Sequence, residues 1–201
     1  QPGSSFKPFI YSAALEKGFT PATVVNDAPF FVPADRAGGE AWEPKNYDGK
    51  FDGPMRVRTA LAKSKNLVTV RVLQAIGPQY AQDYIARFGF DPKLHPAYLT
   101  MGLGAGSVTP LQMVGAYAVL ANGGYRVTPY LIARVVDARG NVLSEANPPL
   151  AGGQAERVID PRNAWIMTSL LKDVIRVGTG TRALSLGRTD LAGKTGTTNE
   201  N

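Results

Sequence analysis

The strongest constraint on this chain lies near its start, in Gly3-Ser4-Ser5-Phe6-Lys7-Pro8-Phe9. Phe6, Phe9, Ile10, Ala13 and Ala14 recur at intervals of three and four, which predicts a helix with one buried face. Pro8 fits the first turn, where backbone amides have no partner within the helix, and Gly18 supplies a stop. Ser4 and Lys7 are three apart, so the helix sets them on one face. A serine hydroxyl is a poor nucleophile until a base takes its proton. A lysine can do so when burial or a second cation lowers its pKa. The free amides and partial positive charge of a helix start also suit a developing oxyanion. Ser5 is the rival nucleophile, but it is two residues from Lys7 and points elsewhere. The same residues would equally serve as a capping serine and a solvated lysine. Ser-x-x-Lys alone does not separate the two uses.

Composition narrows the chemistry. The 201 residues, 44% hydrophobic and 19% charged, are those of a folded domain rather than a disordered chain. No apolar run reaches the length of a membrane span. Cysteine is absent, which excludes disulfides and thiolate zinc sites. The single histidine, His95, stands in Leu94-His95-Pro96 and reads as a loop residue rather than a general base. No metal or cofactor is expected. The net charge of +6 comes from dispersed basic residues without a nucleic-acid module, and reads as a solvated surface.

Along the chain, residues 19 to 54 form a Pro-, Gly- and Asp-rich stretch with short extended pieces around Val24-Val25 and Phe30-Phe31-Val32. Trp42 and Tyr47 flank a turn-forming loop and are expected to pin it. Residues 54 to 76 read as helix, break, helix, the break being Lys63-Ser64-Lys65-Asn66. A third helix carries Tyr80, Tyr84, Ile85 and Phe88. Met101 to Ser107, rich in glycine, is expected to be flexible. Thr109 caps a helix begun by Pro110, with Leu111, Val114, Ala118 and Ala121 on one face. A hairpin is expected from Leu131 to Leu143, turning at Ala138 to Asn141. Asp160-Pro161 starts a further helix, with Ala164, Met167, Leu170, Leu171, Val174 and Ile175 inward.

Three short signals stand in order: Ser4-x-x-Lys7, Ser64-x-Asn66 and Lys194-Thr195-Gly196. Such an ordered set marks β-lactamases and penicillin-binding proteins, with Asp as the usual middle residue of the second triplet in class A β-lactamases. Here that residue is Lys65, which need not enter the site if its neighbours do. Gln1-Pro-Gly-Ser-Ser-Phe-Lys-Pro-Phe, Glu43-Pro-Lys-Asn-Tyr, Ala60-Leu-Ala-Lys-Ser-Lys-Asn, Arg176-Val-Gly-Thr-Gly-Thr and Asp190-Leu-Ala-Gly-Lys-Thr-Gly-Thr-Thr-Asn extend the likeness along the chain. In these segments the chain resembles the transpeptidase domain of class A penicillin-binding proteins.

The resemblance implies an α+β, β-lactamase-like fold, represented by its helical subdomain, a hairpin and one active-site strand in an incomplete sheet. Residues 1–201 would then be a partial transpeptidase domain. The flanking sheet strands, a glycosyltransferase domain and an N-terminal membrane anchor would lie outside it. The resemblance further implies that Ser4 attacks the D-Ala-D-Ala carbonyl of a peptidoglycan stem peptide, with Lys7 as base. Ser64 would pass a proton to the leaving amine, and Asn66 would orient the substrate amide and Lys7. Lys194 would supply positive charge, Thr195 and Thr197 would hold the substrate carboxylate beside Gly196, and the amides of Ser4 and Thr197 would form the oxyanion hole. Donor and acceptor stem peptides, β-lactams and cell-wall synthesis proteins are the implied partners, at the outer face of the cytoplasmic membrane. A carboxypeptidase or β-lactamase on the same scaffold, or a β-lactam sensor that does not turn over, would share the acylating serine. A phosphate loop at Lys194-Thr195 is excluded, because the glycine it needs at position 188 is Arg188.

Overall fold

The computed structural model describes residues 1–37 and 40–197. It opens with a 3-10 turn, Gly3–Phe6, that runs directly into α1, Lys7–Glu16. The expected single buried face is in fact a helix buried on every side: each residue from Lys7 to Ala14 is buried. Small residues make this possible, since Ser12, Ala13 and Ala14 let neighbouring elements close around the helix. Both hydroxyls this sinks into the core are satisfied, that of Tyr11 by Thr69 at 3.3 Å. Ser12 donates to Asn163 at 2.8 Å and pairs with the Tyr84 hydroxyl at 2.9 Å.

Strand β1, Val24–Asp27, pairs antiparallel with β2, Gly53–Arg56, so the stretch first read as helical from residue 54 begins as a strand. Gly53 at φ 70° and Pro54 explain the shift, neither favouring a helix there. The short helix α2, Ala34–Ala37, lies between these strands in the chain. The expected break follows, between α3, Val57–Ala62, and α4, Asn66–Ile76. Pro78–Ile85 forms α5, and Ala86–Phe88 continues it as a 3-10 turn.

The glycine-rich stretch expected to be flexible is packed. Leu99–Leu103 is a 3-10 helix with Met101 and Gly102 buried. Gly104, at φ 76°, lies so close to the first turn that an added Cβ would sit 2.2 Å from the Gly3 carbonyl oxygen. Its glycine serves close approach, not mobility.

Thr109 and Gln112 form the capping box of α6, Pro110–Ala121. The buried face of α6 differs from the one expected: Ala116, Val119 and Leu120 are buried, whereas Leu111 and Val114 are exposed. The helix is apolar nearly all round, so its sequence period could not choose the face. Tyr125–Arg126, β3, pairs with Glu156–Arg157, β6, and the expected hairpin forms from β4, Arg134–Val136, and β5, Val142–Glu145. Asp160 caps α7, Pro161–Arg176, which packs on α1, α3 and α6. Ala164, Met167, Leu170, Leu171 and Val174 are buried as expected, with Ile175 half-buried.

Residues 191–197, expected as the active-site strand, have no ladder partner among the described residues. A strand is completed by its neighbours. This segment is held instead by single contacts, including Gly193 N–H to the Leu171 carbonyl at 3.3 Å. Thr198 and Asn199, which end the motif, lie outside the described residues.

Candidate active site

Ser4 sits in the 3-10 turn ahead of α1, with an aromatic floor beneath. Phe6 packs on Phe9 and Phe90, and stacks on His95 at 4.8 Å between ring centroids. His95 is thus a buried loop residue, as expected, and takes no place in the cleft. Its imidazole pKa is lowered by burial, which favours the neutral ring stacked there. Ser5 is used structurally: its hydroxyl donates to the Pro2 carbonyl at 2.6 Å, and its carbonyl accepts from the Tyr117 hydroxyl at 2.7 Å. That removes the rival nucleophile.

Lys7 is fully buried, which excludes the solvated lysine. Its ammonium donates to the Ser64 carbonyl at 2.7 Å, the Ser64 hydroxyl at 3.2 Å and Asn66 Oδ1 at 2.6 Å. Burial, and then the charge of Lys194, hold its pKa well below the usual lysine range. Lys194 reaches the same Ser64 hydroxyl at 2.7 Å, and burial brings its pKa down to about 8.

The short break between α3 and α4 makes this convergence possible. Ser64 holds φ 58°, the one positive value at a described residue other than glycine. That left-handed turn aims the Ser64 side chain and carbonyl at Lys7 and leaves Asn66 as the first residue of α4. Lys65, between them, does leave the ammonium cluster, as expected. It forms ion pairs with Asp48 at 3.1 Å, Asp52 at 3.2 Å and Asp27 at 3.4 Å.

Ser4, Ser64, Asn66, Thr195 and Thr197 line one cleft of about 410 Å³. Lys7 lies beneath it through its bonds to Ser64 and Asn66, and Gly196 packs beside Ser5. All eight residues expected at the site therefore gather around one opening. The Ser4 hydroxyl has no hydrogen-bond partner among the described residues, which leaves it available to a ligand.

Six residues that the sequence did not assign to the site also line the cleft: Asn46, Tyr47, Asp48, Lys63, Lys65 and Thr179. Tyr47, expected to pin its loop, is 90% exposed at the rim, and only Trp42 anchors, through paired backbone bonds with Val32 at 2.8 Å. Thr179 shares a 2.6 Å hydrogen bond with Thr195. It is placed by Gly178, where a Cβ would meet the Ala62 carbonyl at 2.2 Å. The Arg176-Val-Gly-Thr-Gly-Thr motif held that signal, but its spacing gave no reason to join it to the cleft.

Two lysines of lowered pKa converging on one serine, beside a second serine at a helix start, fit acyl transfer without metal or histidine. The family profile of the penicillin binding protein transpeptidase domain matches residues 1–201. The chain belongs to this family. It is 54% identical over all 201 residues to penicillin-binding protein 1A of Neisseria flavescens, covering 25% of that protein. The crystal structure of penicillin-binding protein 1A from Haemophilus influenzae superposes with a TM-score of 0.92 at 39% identity, over 99% of this chain and 34% of that one. The penicillin G acyl-enzyme complex of penicillin-binding protein A from M. tuberculosis aligns at a TM-score of 0.75 and 25% identity, over 88% of this chain and 44% of that one. This transpeptidase domain thus spans about a quarter of the length of the curated relatives it matches.

Proposed function

We propose that the chain carries the acylating site of a serine D-Ala-D-Ala transpeptidase that cross-links peptidoglycan stem peptides. The observation that carries the reading is the Ser64 hydroxyl, within hydrogen-bonding distance of both the Lys7 and the Lys194 amino groups in the cleft that contains Ser4. Neutral Lys7 accepts the Ser4 proton as Oγ attacks the carbonyl carbon of the penultimate D-Ala. The amides of Ser4 and Thr197 receive the oxyanion. The bond to the terminal D-Ala then breaks, and its nitrogen takes a proton through Ser64, leaving the acyl group on Ser4. The amine of a second stem peptide attacks that ester and restores the serine. Lys194, with the hydroxyls of Thr195 and Thr197, holds the terminal carboxylate of the donor, and Asn66 orients its amide. A β-lactam enters as a mimic of the donor and stays on Ser4.

Hydrolysis would need a base for water. Asp48 is the carboxylate among the described lining residues, and it is poorly suited. A hydrogen bond from the Lys50 amide, followed by the neighbouring Lys65, holds it below its ordinary pKa. A weak base deacylates slowly, which favours transfer over hydrolysis. Stem peptides place the reaction at the outer face of the cytoplasmic membrane. No helix among the described residues is long and apolar enough to cross a membrane.

Intact-mass spectrometry after incubation with benzylpenicillin, with peptide mapping, tests the assignment. A long-lived adduct on the Ser4 peptide, absent from Ser4→Ala, is expected. An adduct that vanishes in seconds would turn the reading to a β-lactamase, and none at all in the intact protein would end it.

A further inference from the structure

Asn66 gives Lys7 its shortest hydrogen bond, so the orientation of the Asn66 amide decides whether the ammonium meets an acceptor or a donor. Nothing within α4 fixes that orientation. The other end of the amide does: Asn66 Nδ2 donates to the Lys45 carbonyl at 2.8 Å, on a loop about twenty residues earlier in the chain. The next loop residue, Asn46, is almost fully buried and spends its entire hydrogen-bonding capacity on the junction. Its Oδ1 accepts from the Asn66 and Leu67 amides at 2.9 and 3.3 Å, and its Nδ2 donates to Asp27 at 2.8 Å and to the Lys50 carbonyl at 2.7 Å. The first-turn amides of α4 are thus capped from outside the helix. Lys65 stands at the N-cap position and has no acceptor to offer there.

Lys65 instead clamps the same loop. Its side chain is 4% exposed and contacts three aspartates: Asp27 on β1, and Asp48 and Asp52 on the loop itself. Asp27, fully buried, also accepts from the Asp52 amide at 3.0 Å. One ammonium therefore ties strand β1, the 45–52 loop and the Ser64–Asn66 turn at a single point.

We propose that Lys65 and Asn46 are positioning residues for the acylation site: they lock the 45–52 loop so that the Lys45 carbonyl holds Asn66 Oδ1 toward Lys7. Both border the cleft and neither hydrogen-bonds Ser4; their effect on acylation runs through Asn66. The middle residue of Ser64-x-Asn66 is thereby given a purpose, the clamping of the loop that aims the third. The inference rests on the acylating function of Ser4 and Lys7.

The test measures the acylation rate constant and the non-covalent affinity of the intact protein for benzylpenicillin separately, in wild type, Lys65→Met and Lys65→Arg, each also in an Asn66→Ala background. Lys65→Met is expected to slow acylation at least tenfold while affinity stays within twofold. Lys65→Arg, which keeps the charge among the aspartates, is expected to recover most of the rate. In the Asn66→Ala background Lys65→Met is expected to cause no further loss, because its route is already cut. Equal losses in both backgrounds, or unchanged acylation in Lys65→Met, would overturn the proposal. If wild type itself is not acylated, the assignment of Ser4 and Lys7 fails first. Should Lys65→Met fail to fold, Asp48→Asn with Asp52→Asn loosens the loop at its exposed end and leaves Asp27 paired. Slowing that disappears in the Asn66→Ala background then supports the proposal, and slowing that persists there, or none, refutes it.

Discussion

At the residue scale the site depends on two lysines that share the Ser64 hydroxyl, Lys7 fully buried and Lys194 half-buried. Lys7 is surrounded by acceptors yet has a lowered pKa, because loss of water and the nearby charge of Lys194 outweigh its hydrogen bonds. That shift favours the neutral amine more than in an ordinary lysine, the direction a base for Ser4 requires. Lys7→Met is expected to slow acylation by roughly 10²–10⁴-fold, the range for loss of a general base, with melting temperature held or raised since a buried charge is removed. Lys194 titrates at about 8, so its role is readable by pH. As pH rises through about 8 the charge is lost, and non-covalent affinity for the benzylpenicillin carboxylate is expected to fall. Stability moves the opposite way. A lysine whose folded pKa lies below its unfolded value of 10.5 makes the unfolded chain bind more protons between about 8 and 10.5, so its contribution to stability rises with pH across that window. Titrations of affinity and melting temperature on wild type and Lys194→Met separate the two, as both slopes should flatten in the variant.

At the scale of elements, the site is made by junctions rather than by the elements themselves. The turn before α1 is set from below by Gly104, whose carbonyl accepts from the Gly3 amide at 3.4 Å and whose Cα has no room for a side chain. Gly104→Ala must adopt a left-handed backbone and displace the Gly3 carbonyl. A loss of about 3 kcal/mol in chemical denaturation, together with slower acylation, is the expected result. On the far side α7 is stitched to α1 by Asn163, which donates to the Ser12 carbonyl at 2.9 Å and to Glu16 at 2.7 Å. Asn163→Ala removes the acceptor of the buried Ser12 hydroxyl, leaving it only Tyr84, and the donor to the Ser12 carbonyl and Glu16, and should cost about 2 kcal/mol without changing the acylation rate, because the break lies behind the site. Of these junctions, the Thr109 and Asp160 caps were visible in the sequence, since a cap and its helix are adjacent in the chain. Asn46, capping α4 across about twenty residues, was not.

For the whole molecule, a helical body with α1 at its centre carries a cleft whose far wall is the lightly held 191–197 segment. With few backbone hydrogen bonds of its own, that wall belongs to the low-stability end of the structure. Its amides are expected to exchange with solvent much faster than those of α1 and α4, and to slow once benzylpenicillin is attached to Ser4. Equal exchange before and after acylation would show that the wall does not close on the ligand. The sequence alone determined the helices with caps and glycine stops and the break at Ser64, because local periodicity is a property of neighbours in the chain; the candidate site residues came from three short motifs and the family resemblance, and the structure gathers them around one cleft. The sequence could not choose the buried face of α6, whose residues are apolar on both sides, nor show that α1 is enclosed all round. It read Met101 to Ser107 as mobile where glycine serves contact, and placed Tyr47 inside its loop rather than at the rim. Only the tertiary structure decided those points, and the burial that lowers the pKa of Lys7, because each depends on which distant segment occupies the space beside a residue.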